Sequence, residues 1–482
     1  MGRERKRPKG APAFTATFRI GYSPSQRKKC AARFHCGTAV YNAALREALD
    51  RASAMRGDPR WAKARTLRRD DLRRRELFDE ARTAARFSKR ELASFGSRLR
   101  VGWIRDGVPA QEAQALAERA FGAVASWVYR SRGRPRFKPM NRGIHSMSSK
   151  DGCGAIRLAG TGRHLQWGTG LSAPLVIDPA SPVHSHALAA IDSGRVLRVC
   201  IVARKIKGRR YYYAQVVCDG QPLQQYAAGE GEVGLDLGPS AVALVSDQGA
   251  WLETFCQGLD GNQAEVRRLQ RKLDRQHRAG SPECFGQKGR HRKGRCRWAY
   301  SGLARLVRER LAEAGRRKAE HRKSLHGNLA NRVLAQGQVV HVEKLSKVAW
   351  QKMYGRSVGF RAPGMFESVV ARKAANAGGA VVEINPYQGR LSQACTCGEI
   401  VKKPLSLRVH DCSCGVHEQR DIWSAFLARH SSGQAPDLAS AREELWRRHD
   451  IGGAPGPGRV NQRVPAASRL VPEASGRAGG AV

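Results

Sequence analysis

The first 22 residues carry the clearest two-residue alternation in the chain. In "AFTATFRIGY" every second residue from Phe14 to Ile20 is apolar, which predicts a strand with one buried face. Ser23 and Pro24 then suit a helix cap and first turn, and apolar residues recur at about helical spacing beyond them. The pattern predicts one strand followed by several basic helices that run to about Tyr129, with breaks at "RGDPR" and "RDGVP".

The stretch "SRGRPRFKP" ends this helical block, and the pattern from there to about Gln225 predicts strands. The segments "RVLRVCIVARKI" and "RYYYAQVVC" are joined through Lys207 and Gly208, which predicts a β-hairpin. Alternation places Tyr212 on the face opposite its two tyrosine neighbours. At least one face is therefore predicted to be core, although tyrosines can also stack on bases.

The second half of the chain predicts a different order of elements. Three strands in "GEVGLDLGPSAVALVSDQGAWLETFC" precede a long basic helical segment from about Asn262 to Leu334, interrupted by "GSPECFGQKGRHRKG". The strand "GQVVHVEKL", the helix "APGMFESVVARKAANAGG", the strand "AVVEINP" and a final helix follow. This order is that of an RNase H-like fold. Beyond Ile451 the Ala-, Gly-, Pro- and Arg-rich tail is predicted to be disordered.

Three acids occupy positions in this order that suit metal binding. Asp236 lies within the first of the three strands, Glu343 at the end of the later buried strand, and Asp421 at the first turn of the final helix. An unpaired carboxylate among the apolar neighbours of "VGLDLG" is costly to ionise unless a cation neutralises it. Three converging carboxylates would hold Mg²⁺ or Mn²⁺, and a pair of such ions can hydrolyse a phosphodiester. Taken alone, two of the acids also have structural interpretations: Asp421 can be a helix N-cap, and Glu343 can be a surface residue that ends a strand.

The segment "GLDLGPS" has a second interpretation. It also resembles the phosphate loop on the first strand of the sugar-kinase and Hsp70-type ATPases. Those proteins need a second glycine-rich phosphate loop downstream, and the sequence offers none beyond Gly238. A nuclease is therefore favoured over an ATPase.

Charge narrows the choice of partner. The 482 residues contain 86 Lys and Arg against 41 Asp and Glu, a net charge of +45. Self-repulsion on this scale favours a polyanionic partner, for which nucleic acid is a better candidate than an acidic lipid surface. No apolar run approaches the roughly 18 residues needed to cross a bilayer, and no apolar signal core follows "MGRERKRPKG". A cytoplasmic protein is expected, with its 12 cysteines as thiols or metal ligands and with disulfides unexpected.

Four of these cysteines fall into two Cys-x-Cys pairs, Cys395 with Cys397 and Cys412 with Cys414, each followed directly by glycine. Four cysteines grouped two and two predict a zinc ribbon, in which the metal stabilises a loop-rich segment. The usual knuckle is Cys-x-x-Cys, so His410 and His417 are possible substitute ligands. A metal-free loop with packed thiols is the alternative.

Several motifs together resemble one family. "SRGRPRFKP", "VGLDLG", "VHVEKLS", "EINPYQGRLSQACTCG" and "CSCGVHEQRDIWSAFLA", in this order, are similar to the transposon-encoded TnpB nucleases and their descendants, the miniature type V CRISPR effectors. The resemblance covers roughly residues 14 to 430. It implies that Asp236, Glu343 and Asp421 correspond to the three metal-binding acids of the RuvC domain. It also implies that the Cys395 to Cys414 element corresponds to the zinc ribbon that binds target nucleic acid.

The resemblance implies an α+β, multidomain and bilobed protein. A β-barrel wedge domain with an inserted helical recognition domain would precede an RNase H-like (RuvC) α/β domain with an inserted zinc ribbon. The expected divisions are a first wedge segment (1–22), a helical recognition domain (23–130), the remaining wedge barrel (131–228), a RuvC domain with a basic helical hairpin (229–390), a zinc ribbon (391–418), a RuvC C-terminal helix (419–450) and a disordered tail (451–482).

Such enzymes use a guide RNA to open double-stranded DNA beside a short motif, and then cut with a single RuvC site. Guide RNA, target DNA, Mg²⁺ (or Mn²⁺) and Zn²⁺ are therefore the implied partners and cofactors, with one or two chains per guide RNA and no membrane. The sequence departs from the family at Trp423, where Asn is usual, and in its shortened knuckles. A guided DNA-binding protein that silences without efficient cleavage, or a transposon-encoded nuclease, is the alternative.

Overall fold

The structure is a computed structural model that divides into two compact units, Met1–Leu223 and Gln224–Val482. It describes residues 10–129, 132–149, 154–259, 263–287, 289–292, 294, 296–404, 406–450 and 460–461. Within these ranges, no helix is both long and apolar enough to cross a bilayer.

The first unit begins with one strand and six helices. Its helix α1 starts at a capping box, in which the Ser23 hydroxyl accepts from the Gln26 N–H and the Gln26 amide oxygen accepts from the Ser23 N–H. The predicted cap, the strand and the breaks near 58 and 108 are confirmed. The elements are β1 (Ala13–Ile20), α1 (Pro24–Gly57), α2 (Pro59–Thr66), α3 (Leu72–Ala84), α4 (Lys89–Arg98), α5 (Trp103–Gly107) and α6 (Ala110–Val128).

The rest of this unit contains one helix, α7 (Pro182–Asp192), and six strands. The strands are β2 (Ser146–Ser148), β3 (Ile156–Ala159), β4 (His164–Trp167), β5 (Ser172–Val176), β6 (Val196–Ile206) and β7 (Arg209–Asp219). They join β1 in a seven-stranded antiparallel sheet of order β2-β6-β7-β1-β5-β4-β3, which curls so that β3 approaches β6. The predicted β6–β7 hairpin is confirmed, since Lys207 and Gly208 both have positive φ, as a tight turn requires. Tyr212 is buried in the core, as its place in the alternation predicts.

Helix α7 corrects the prediction that the chain to Gln225 is all strand. The Ser181 hydroxyl accepts from the His184 N–H, and Pro182 occupies the first turn. Ala187, Ala190 and Ile191 then recur at helical spacing and are buried. Both the cap and the helical spacing can be read in the sequence, but the helix is short and lies between segments with strand patterns, so it was not predicted.

The second unit contains β8 (Glu232–Leu237), β9 (Ala241–Ser246), β10 (Gly249–Thr254), α8 (Gln263–Gly280), a 3₁₀ turn (Pro282–Cys284), α9 (Gly302–Ala335), β11 (Val339–Glu343), α10 (Lys347–Arg361), α11 (Pro363–Asn376), β12 (Ala380–Ile384), α12 (Pro386–Gly389), β13 (Val409–Asp411), β14 (His417–Gln419), α13 (Arg420–Arg429), α14 (Leu438–Asp450) and β15 (Val460–Asn461).

The main sheet of this unit has the order β12-β11-β8-β9-β10-β15. Strands β8 to β10 form an antiparallel meander, whereas β11 and β12 add in parallel beside β8. This is the RNase H-like arrangement that the order of elements predicts, and the mixed α+β, multidomain class is confirmed. Apart from β15, which pairs with β10, the tail predicted to be disordered lies outside the described residues.

Two features of this unit differ from the sequence analysis. Helix α10 was not predicted, because only Val358 of its 15 residues is buried and it therefore lacks an apolar stripe. Cys284 and Cys296 form a disulfide, against the expectation of thiols or metal ligands throughout. The cause is local: the Arg292 N–H donates to the Cys284 carbonyl, and the returning loop brings the two Cα atoms to 5.7 Å.

Candidate functional site

The three predicted acids lie on neighbouring elements of the second unit. Asp236 is in β8, and Glu343 ends the adjacent parallel strand β11. The last residue pair between these two strands is Leu235 with Val342, and each acid is the next residue on its strand. Asp421 lies in the first turn of α13, which packs on β8 and β9. As whole residues all three are of intermediate exposure, and the Asp421 side chain is 20% exposed.

A close backbone contact holds α13 against β8. A Cβ atom on Gly234 would lie 1.8 Å from the Ala425 carbonyl oxygen and 2.8 Å from the Arg429 nitrogen. Only glycine permits this approach, because any side chain would displace the helix. The position of Asp421 relative to Asp236 therefore depends on Gly234.

The two neighbouring carboxylates increase the proton affinity of Asp236. The pKa of Asp236 lies well above its usual value because of burial first, and then because of the negative charges of Asp421 and Glu343. Burial likewise raises the pKa of Glu343, although the positive charge of the nearby Lys347 opposes the increase. A group of mutually repelling, partly desolvated carboxylates is a good ligand set for a divalent cation.

Two arginines next to the acids were missed by the sequence analysis. The exposed guanidinium of Arg408 lies 3.6 Å from the Asp421 carboxylate. The buried guanidinium of Arg420 donates to the Pro404 carbonyl and to the Ser392 hydroxyl, and the Arg420 N–H donates to the Arg408 carbonyl. Arg420 therefore fixes the loop that presents Arg408 to the acids. The sequence alone does not identify these two arginines, because the chain contains 86 Lys and Arg and their contacts form only in the tertiary fold.

The four predicted cysteines come together with the dimensions of a zinc site. All four sulfurs lie within 4.8 Å of one another, with Cys395 Sγ 3.5 Å from Cys414 Sγ and Cys397 Sγ 3.6 Å from Cys412 Sγ. Tetrahedral zinc with Zn–S bonds of about 2.3 Å separates its sulfurs by about 3.8 Å. The four-cysteine cluster can therefore bind zinc, and the shortened pairs do not prevent the required geometry.

The two knuckles have matching backbones, which explains the glycine after each pair. The Gly398 N–H donates to the Cys395 carbonyl and the Gly415 N–H to the Cys412 carbonyl, and both glycines have φ of +93°. A position with positive φ favours glycine, because glycine has no Cβ atom to clash with the backbone. Burial raises the pKa of Cys395 to about 11 when no cation is present, so a bound metal would have to displace its proton.

Neither proposed substitute ligand joins the cysteine cluster. His410 is buried, and its ring stacks on Trp423 with centroids 4.9 Å apart. His417 is exposed and pairs with Asp411. Trp423 is itself fully buried and donates from Nε1 to the Ala394 carbonyl at 2.8 Å. The departure from the family at Trp423 thus serves packing between the cysteine-bearing segment and α13.

Comparison with known proteins relates this part of the chain to one family. Residues 364–427 match the family model for the Cas12f1-like TNB domain. The chain resembles the miniature type V CRISPR effectors. The TNB domain match takes in the cysteine cluster and Asp421, together with Arg408 and Trp423.

Two solved structures are also similar to the chain. One is described as a cryo-EM structure of a Cas12f1–sgRNA–target DNA complex, with 11% identity, a TM-score of 0.43, and coverage of 86% of this chain and 98% of that chain. The other is described as a CRISPR-Cas12f ternary complex, with 10% identity, a TM-score of 0.31, and coverage of 85% and 82% respectively. The search of curated proteins found no match.

Proposed function

We propose that the protein is an RNA-guided DNA endonuclease with a single metal-dependent site formed by Asp236, Glu343 and Asp421. The observation that carries the proposal is the convergence of these acids from β8, β11 and α13 of an RNase H-like sheet in a chain with a Cas12f1-like TNB domain. The net charge of +45 suits guide RNA and target DNA as partners.

The three carboxylates would hold Mg²⁺ or Mn²⁺, which would supply activation of a water and stabilisation of the departing oxygen in phosphodiester hydrolysis. The carboxylates do not all lie within 4.8 Å of one another, unlike the sulfurs of the cysteine cluster. A wider spacing is compatible with a pair of ions, which lie about 3.5–4 Å apart. Arg408 is placed to bind a phosphate oxygen when a cation takes its place beside Asp421.

In this proposal the four cysteines bind one zinc ion and stabilise the loop that carries Arg408. The loop lies between the two knuckles and has little apolar core of its own. Trp423 connects the same segment to α13, which carries Asp421. The zinc site would therefore act on cleavage by positioning residues, without touching the reacting phosphate.

The experiment starts from protein purified with RNA from its native locus. The RNA is sequenced, and the complex is incubated with Mg²⁺ and a matching DNA duplex that carries randomised flanks. We expect cleavage beside one short flanking motif, abolished by EDTA and by Asp236→Ala. Tight guided binding without cleavage would instead support a DNA-binding protein that silences its target.

A further inference from the structure

A second group of metal-binding side chains lies in the connection between α8 and α9. One carboxylate oxygen of Glu283 and the sulfurs of Cys284 and Cys296 all lie within 4.8 Å of one another. Cys284 Sγ is 3.7 Å from the Glu283 carboxylate. The two sulfurs form a disulfide, which has no need of a carboxylate beside it. Two sulfurs and a carboxylate are the composition of a metal site, and we call the three residues the Glu283 cluster.

Backbone contacts hold the two cysteines close to each other without the sulfur–sulfur bond. The Ser281 hydroxyl accepts from the Ala299 N–H at 2.8 Å, so the chain just after Cys296 is fixed beside the chain just before Cys284. The Arg292 N–H donates to the Cys284 carbonyl at 2.9 Å, and the two cysteine Cα atoms are 5.7 Å apart. None of these contacts uses sulfur, so the two thiols stay near each other when the disulfide opens.

The charges around the Glu283 cluster favour ionised thiols. Glu283 is the only acid between residues 275 and 308, a segment rich in Arg and Lys. Two arginines contact Phe285, the residue after Cys284: Arg292 Nε donates to its carbonyl at 3.0 Å, and the Arg278 guanidinium lies 4.7 Å from the centre of its ring. Nearby cations stabilise a thiolate, which is the form of cysteine that binds a metal.

The connection that carries the Glu283 cluster has almost no core. Among its described residues from 281 to 301, only Ser281 and Cys284 are buried. Segments that cannot bury a hydrophobic core are stabilised by disulfides or by metals. The Glu283 cluster suits both, because the same two sulfurs can bond to each other or to an ion.

The ligand types select zinc. Thiolates favour zinc over Mg²⁺, which prefers oxygen, and a zinc ion with three protein ligands takes water in its fourth position. Opening the disulfide breaks the S–S bond and gives two thiols, with two electrons from a phosphine or dithiol reductant and two protons. Zinc then displaces the two thiol protons.

We propose that Glu283, with Cys284 and Cys296 in their reduced form, binds a zinc ion as a second zinc site in addition to the four-cysteine cluster. The disulfide and the zinc ion are alternatives, and each connects the two ends of the same loop. With the disulfide intact the chain keeps only the zinc of the four-cysteine cluster, and reduction allows the second ion to bind. The inference goes beyond the proposed nuclease and needs neither guide RNA nor DNA.

The test measures zinc in the full chain by elemental analysis, before and after reduction. Protein prepared without reductant should hold about one zinc per chain, and treatment with a phosphine reductant and zinc, followed by removal of free metal, should raise this to about two. Cys284→Ser combined with Cys296→Ser should stay at about one under both conditions. Cys200→Ser removes a free cysteine from β6 and is the matched control, which should still reach about two.

Glu283→Ala tests the third ligand. Glu283 is exposed, so the change leaves the fold and the disulfide intact. It should weaken the second zinc at least about 10-fold in competition with a chelator, since loss of a residue that only supports a ligand already costs about 10- to 100-fold. With Co²⁺ in place of zinc, the second ion should add about half the thiolate-to-cobalt charge-transfer absorption of the first, because it has two sulfur ligands and the first has four.

Three results would overturn the inference. They are a single zinc in the reduced wild type, a second zinc in the variant that lacks both Cys284 and Cys296, and wild-type affinity for the second zinc in Glu283→Ala. None of them bears on the proposed nuclease, whose own test is cleavage by the guided complex and its loss in Asp236→Ala. The two proposals can therefore fail separately.

Discussion

The substitution Gly234→Ala tests whether the close packing of α13 on β8 positions the acids. The new Cβ would start 1.8 Å from the Ala425 carbonyl oxygen, whereas real Cβ atoms essentially never come closer than 3.0 Å. The obstructing atoms belong to the backbone of α13, so α13 and β8 must move apart at this contact by at least the difference of about 1.2 Å. Asp421 lies on the same helix and moves with it.

The expected effect on catalysis exceeds the effect on stability. Overpacking of a core contact costs about 1–3 kcal/mol, which a folded domain can survive. A displacement of about 1 Å between groups that must act together can reduce a rate about 10²-fold. We therefore expect guided cleavage by Gly234→Ala to fall about 100-fold, with guide and target binding largely kept.

The assay is single-turnover cleavage of a matched DNA, alongside thermal unfolding and target binding. Gly327→Ala is the matched control, since Gly327 lies in α9 and a Cβ there meets nothing within 4 Å. It should leave the rate unchanged and stabilise the helix slightly. Wild-type cleavage by a well-folded Gly234→Ala protein would refute the reasoning.

Three further predictions concern the acids, the cysteines and Trp423. Because the pKa of Asp236 is raised above 3.8 in the folded state, ionisation favours the unfolded chain, and the metal-free protein loses stability as the pH rises from about 3.8 to the raised pKa. Asp236→Asn should therefore raise the thermal midpoint in EDTA near neutral pH, with a smaller gain as the pH falls towards 3.8; an unchanged midpoint would contradict this. Elemental analysis should find about one zinc per chain, lost in Cys412→Ser with Cys414→Ser, whereas a metal-free and equally stable wild type would exclude a structural zinc. Trp423→Phe leaves the Ala394 carbonyl without its donor and should cost about 1–3 kcal/mol, measured by denaturant unfolding; a neutral effect would show that water replaces the bond.

The sequence predicted the sheet of the second unit well, because its strands are short apolar runs separated by clear turns. The position of Asp236 followed from the same pattern, since a carboxylate inside an apolar strand is conspicuous. Its metal-binding role, like those of Glu343 and Asp421, stays a prediction. The grouping of the four sulfurs was foreseeable from their spacing alone.

The residues that the sequence could not reveal act through tertiary contacts. Arg408 gains its place only because the buried Arg420 holds its loop, and Gly234 matters only because α13 crosses β8 there. Helix α10 has one buried residue, so its sequence lacks the periodic apolar pattern that predicts a helix.

The most direct measurement is single-turnover cleavage of a guide-matched DNA by Asp236→Ala, Glu343→Ala, Asp421→Ala and the triple variant. Residues that act as one unit are non-additive, so each single change should lower the rate about as much as all three together. The account predicts this result, with normal target binding throughout. Substantial cleavage by any of the single variants would contradict a single metal site built from the three acids.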